Sequence, residues 1–127
     1  MDLARVRKEI ALAQQYFSYL DAHATPDGKL FALCAMQSSI GQGLYTLAVS
    51  FPDSYPSTMP TVTVRKPALH DSAPHRYKAG NICYLHQSMW NPGQHTLLTV
   101  LQRAAKWISK YEVWMKTGNW PGAEIKH

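Results

Sequence analysis

Leu3, Val6, Ile10, Ala13, Phe17 and Leu20 recur at three- and four-residue steps, the spacing that lines one face of an α-helix. Asp2 stands where its carboxylate can accept from the open amides of a first turn, so the pattern predicts an amphipathic helix to about residue 20. Pro26-Asp27-Gly28 ends any helical continuation, and the apolar run Leu30 to Met36 suits a first strand. After a turn with two glycines from Ser38 to Gly43, Tyr45, Leu47, Val49 and Phe51 alternate with Thr46, Ala48 and Ser50 at a period of two. Beyond a proline cluster, Val62 and Val64 share a face between Thr61, Thr63 and Arg65. These three segments predict an antiparallel meander preceded by a helix.

Residues 67 to 95 carry prolines, glycines, histidines and polar side chains with little periodicity, interrupted by the short apolar run Ile82-Cys83-Tyr84-Leu85. An irregular segment of that length in a small domain is usually functional. Leu97, Val100, Leu101, Ala104, Ile108, Tyr111 and Met115 then form one apolar stripe at helical spacing, which Gly118 stops and Pro121-Gly122 keeps from resuming. Helix, three strands, irregular segment, helix is the order of an α+β domain with its helices on one face of a small sheet.

With 127 residues, 46% hydrophobic and 17% charged, one core suffices, and residues 1–127 are expected to form a single domain without linker or repeat. No window reaches the roughly 18 apolar residues of a membrane span, which points to a cytoplasmic protein with no membrane partner. In a reducing compartment Cys34 and Cys83 are expected to stay unpaired, Cys34 inside an apolar strand and Cys83 solvent-reachable in the irregular segment. The net charge of +5 is spread over cations such as Arg5, Lys66, Arg103 and Lys116 without a nucleic-acid motif. No nucleic-acid partner is therefore expected, and an acidic protein partner accounts for the charge at least as well.

Two motifs carry a resemblance. Phe51-Pro52-Asp53-Ser54-Tyr55-Pro56, followed by Met59-Pro60 and the strand at 61–65, resembles the strand-turn-strand of ubiquitin-conjugating enzymes. Gly80-Asn81-Ile82-Cys83-Tyr84-Leu85, with Trp90-Asn91-Pro92 seven residues after the cysteine, is similar to that family's active-site segment. Together with the following helix the match runs from Leu44 to Trp120. The ending Tyr111-Glu112-Val113-Trp114, Thr117 to Gly122 and His127 is similar to bacterial members in CBASS anti-phage operons, found beside a cyclic-nucleotide synthase or fused to an adenylating enzyme.

The resemblance implies a UBC-like fold and a transferase that carries a protein carboxyl terminus as a thioester on Cys83 and passes it to an amine, in antiviral defence. The carried protein is implied to be a CD-NTase-type cyclase (a cGAS/DncV-like nucleotidyltransferase) or a ubiquitin-like protein, loaded with or without a separate activating enzyme. The same fold as a non-catalytic module holding a partner's tail is the alternative. One departure stands out: the family's histidine-proline-asparagine signature is represented by Pro74-His75-Arg76-Tyr77. His75 is carried over as the signature's histidine, and the oxyanion donor is left to Asn81 or a backbone amide.

A thiol suits acyl transfer because its thiolate both attacks and leaves readily, and no strong base is needed for exchange with an incoming thioester. His75, His86 and His95 surround the cysteine segment. Cys83-x-x-His86 lacks a second ligand pair, and no Asn or Asp stands out to orient a protease histidine, so neither a metal nor a cofactor is expected. His86 is read instead as a loop residue near the thiol with an auxiliary proton-transfer role.

Overall fold

The computed structural model describes residues 1–38, 40–41 and 43–122. His127, part of the terminal motif, lies outside them. Helix α1 (Leu3–Gln14) is followed by strands β1 (Tyr19–Ala24), β2 (Leu30–Gln37), β3 (Leu44–Ser50) and β4 (Thr61–Lys66), one 3-10 turn (Gln87–Met89) and helix α2 (Leu97–Thr117). The four strands form one antiparallel sheet in chain order, β1-β2-β3-β4.

The first helix is shorter than its apolar stripe predicts, and a fourth strand takes the remainder. Asp2 caps α1 as expected, accepting from the Arg5 amide at 3.0 Å. The Tyr16 and Phe17 amides close on the Ala13 carbonyl, and the chain leaves the helix there. Tyr16, Phe17, Ser18 and Tyr19 form helices less readily than the residues before them, and aromatic residues suit a pleated surface. Six residues then pair with β2, from Tyr19 with Ala35 to Ala24 with Leu30. Leu20 still reaches the core, but as a strand residue: Leu20, Cys34, Leu47 and Val64 make one transverse row across all four strands.

Cys34 is fully buried in that row, and burial pushes its thiol up to about 11. The buried stripe of α2, from Leu97 through Val100, Leu101, Ala104 and Ile108 to Tyr111, joins the sheet's inner face in one core. Near its far end Tyr111 meets Tyr45 edge-on at 6.5 Å, and the Tyr45 hydroxyl donates to Glu112 at 2.8 Å.

Glu9, on α1, is buried and ties three parts of the chain together. Its Oε2 accepts from Arg5 Nε, while its Oε1 accepts from the Tyr55 hydroxyl and, at 2.8 Å, from the Leu97 amide that opens α2. A carboxylate suits that place, because the first amides of a helix lack partners and carry partial positive charge. Arg5 also donates to the His95 carbonyl at 2.9 Å, so the irregular segment is fastened to α1 just before it enters α2.

Candidate active site

The segment bearing Cys83 is anchored on both sides. The Ile82 amide donates to the Val62 carbonyl of edge strand β4, and the Cys83 amide donates to the His75 carbonyl, each at 2.8 Å. Between those ties the chain turns through Tyr77 to Asn81. The Tyr77 amide donates to the Asn81 carbonyl, and Gly80 takes φ 95°, a conformation costly for any side-chain-bearing residue. Tyr84 reaches the Pro60 carbonyl with its hydroxyl at 2.5 Å. Trp90 packs near Tyr55 and donates to the Pro56 carbonyl at 2.8 Å. The two motifs, far apart in sequence, are thereby bolted to each other.

This anchoring corrects the expectation that Cys83 is readily reached. The residue is only 6% exposed, because its neighbours Ile82, Tyr84 and Leu85 join the buried core rather than looping into solvent. Burial raises the thiol above its ordinary value, opposed by hydrogen bonding from the Tyr77 hydroxyl and the Leu85 backbone. Tyr77 Oη lies 3.3 Å from Sγ, and burial together with the cysteine lifts Tyr77 to about 12, so the phenol keeps its proton and serves as donor to a thiolate. Sequence reasoning did not select Tyr77, since nothing in its spacing shows that the turn at Gly80 folds it back over the sulfur.

His75 has φ 57°, the left-handed region that non-glycine residues seldom occupy. Its carbonyl accepts from both the Cys83 amide and Trp107 Nε1, at 2.8 and 3.1 Å, and these bonds hold the strained backbone in place. Its ring lies 4.8 Å from that of Trp120. His75, Cys83, Tyr84, Arg103, Lys106, Trp107, Lys110 and Trp120 line one cleft of about 70 Å³. Asn81 lines a second cleft of about 330 Å³ with Tyr77, Ile82, Tyr84, Gln87 and Trp90. His86 lines neither; its ring nitrogen caps the 3-10 turn, 3.2 Å from the Ser88 amide and 2.7 Å from Ser88 Oγ. Cys83 and His75 thus come together, Asn81 and Tyr77 face the neighbouring cleft, and Tyr84 borders both. By order along the chain His75 follows Pro74, the place the signature gives to its asparagine rather than its histidine.

An initial helix, a four-stranded antiparallel meander, a cysteine segment hung on the last strand and a helix closing over the sheet define the UBC-like fold. Solved structures share it: the Vps23 UEV in complex with ubiquitin, at 18% identity over 82% of this chain and 81% of that one, TM-score 0.57. The yeast vps23 UEV domain with a vps27 PSDP peptide matches at 15% identity over 98% and 86%, TM-score 0.62. Human ubiquitin-conjugating enzyme E2 G1 matches at 20% identity over 82% and 91%, TM-score 0.56. No curated protein matches the sequence. The chain belongs to the family described as Type II CBASS E2 protein, whose model matches residues 9–127. Among the described residues no helix is long and apolar enough to cross a membrane.

Proposed function

We propose that Cys83 carries a protein carboxyl terminus as a thioester and passes it to an amine within CBASS defence. The observation that carries this reading is a thiol lining a cleft, with a phenol at 3.3 Å and a histidine in the same recess. Loading is a thioester exchange: Cys83 Sγ, as thiolate, attacks the acyl carbon and the incoming thiol leaves. Transfer is the reverse in kind: an amine nitrogen attacks, Sγ leaves, an amide forms and the amine gives up a proton. A recessed thiol suits a carrier, because burial limits the access of water to the thioester.

The carried terminus belongs to a CD-NTase-type cyclase or a ubiquitin-like protein, delivered as a thioester directly or by a separate activating enzyme. The acceptor amine approaches from the larger cleft, past Asn81 and Tyr77. His75, in the place of the signature's asparagine, supports the oxyanion in company with backbone amides, and Asn81 is the other side chain to weigh against it. His86 retains the auxiliary proton-transfer role as a subsidiary part of the proposal.

Mixing the protein with the partner, plus activating enzyme and ATP, is expected to give an adduct cleaved by reductant. Cys83→Ala should abolish that adduct, and Cys83→Ser should replace it with a reductant-stable ester. In single-turnover discharge to a lysine analogue, loss of the oxyanion donor should slow transfer by at least about tenfold. His75→Ala is expected to do so. A slow Asn81→Ala or His86→Ala variant with a normal His75→Ala would reassign the donor. An adduct persisting in Cys83→Ala moves the chemistry elsewhere.

The 6% exposure of Cys83 and its raised thiol favour a second reading, a UBC-fold module that holds a partner's tail without covalent chemistry. Stable partner binding without any adduct, unchanged in Cys83→Ala, would establish it.

A further inference from the structure

The cleft that admits Cys83 Sγ has one positive wall. Arg103, Lys106 and Lys110 line it from α2, separated by three and four residues and so stacked on one helix face. The sole acid of that helix, Glu112, lies on the other side, roughly 180° from Arg103 at about 100° per residue, where the Tyr45 hydroxyl holds it. Among the described residues the only ion pair is Arg5 with Glu9, so no described acid neutralises the three cations. Trp107 rises from the same helix face beside them and meets Trp120 of the following tail at 5.3 Å.

We infer that this cleft receives an acidic, extended stretch of the protein chain whose carboxyl terminus is carried on Cys83, an inference that rests on the thioester reading above. Seven residues of α-helix at about 1.5 Å each put Arg103 and Lys110 roughly 10 Å apart along the axis. An extended chain covers that span in about three residues at roughly 3.3 Å each. Carboxylates on alternate residues of the stretch before the carried terminus therefore meet successive cations. A nucleic-acid strand fits less well: stacking needs open aromatic faces, and here Trp120 is taken up by Trp107 and His75.

The test uses the whole protein and synthetic peptide thioesters differing only in those positions: Asp/Glu, Ser or Lys. Cys83 loading is read by intact mass under second-order conditions, and binding by fluorescence anisotropy of the matching carboxamides. The acidic peptide should load and bind roughly fivefold better than the serine peptide, an advantage that fades with salt. In the Arg103→Glu, Lys106→Glu variant the preference should reverse toward the lysine peptide, which a merely misfolded protein could not do. Equal loading and binding of acidic and serine peptides by the wild type would overturn the acidic-tail inference while leaving the thioester intact. If no peptide loads, anisotropy alone decides the cleft's specificity, and the thioester reading is decided by the adduct with the partner. Tighter binding of a short labelled oligonucleotide than of the acidic peptide, competed from the same site, would also overturn it.

Discussion

Two thiols with the same chemistry are set apart by what surrounds them. Cys34 sits in the middle of the sheet with no exposed surface, whereas Cys83 ends in a cleft with a phenol beside it. Iodoacetamide should therefore label Cys83 first in the native protein. The pH dependence of that labelling reads the Tyr77 contact. A donor to the thiolate favours the charged form and lowers the thiol's pKa, so Tyr77→Phe should move the midpoint of alkylation to higher pH and slow labelling at neutral pH. An unchanged midpoint would make the hydroxyl a packing group. Cys83 stands out as a candidate in the sequence because its neighbours, Gly80-Asn81-Ile82 and Trp90-Asn91-Pro92, keep a motif's order. Tyr77 does not, because its role arises from a turn in three dimensions. His75 enters the sequence reading as the signature's histidine, and only the fold shows that it shares a cleft with Cys83.

At the level of elements, an apolar run located β2, and period-two and period-3.6 patterns located β3, β4 and α2, to within a few residues. The boundary of α1 was missed for a definite reason: Phe17 and Leu20 continue the helical spacing, yet β-sheet pairing outweighs local periodicity once six residues find partners on β2. Glu9 was also invisible, since a glutamate on an amphipathic helix ordinarily points to water. Here its Oε1 serves both the Tyr55 hydroxyl and the first amide of α2, so its loss strands two buried donors. Glu9→Ala is expected to lower unfolding free energy by about 2 to 4 kcal/mol in urea titrations. Glu9→Gln keeps an amide oxygen for both donors but abandons Arg5, and should cost about half as much. A Glu9→Ala variant within about 1 kcal/mol of wild type would mean that water replaces the carboxylate.

Across the whole molecule, residues 118–120 fold back to finish the cleft that the middle of the chain begins. Gly118, at φ 77°, closes α2 and turns the backbone so that Trp120 comes down on His75 and Trp107. The sequence announces the turn through Gly118 and the Pro121-Gly122 pair, but not its destination, which depends on how far α2 runs and on which of its faces is buried. Trp120 thus has two separable jobs: it adds aromatic contacts to the tail and forms one wall of the Cys83 cleft. Removing its ring forfeits two such contacts, each worth roughly 0.5 to 1.5 kcal/mol. Trp120→Ala should accordingly destabilise the protein by about 1 to 3 kcal/mol, remain folded, and widen access to the sulfur. Alkylation of Cys83 should then accelerate at fixed pH with its midpoint unmoved, because Tyr77 is untouched, while Cys34 stays unlabelled. Faster labelling of both cysteines would signal general loosening instead, and an unchanged Cys83 rate would show that the tail ring does not guard the thiol.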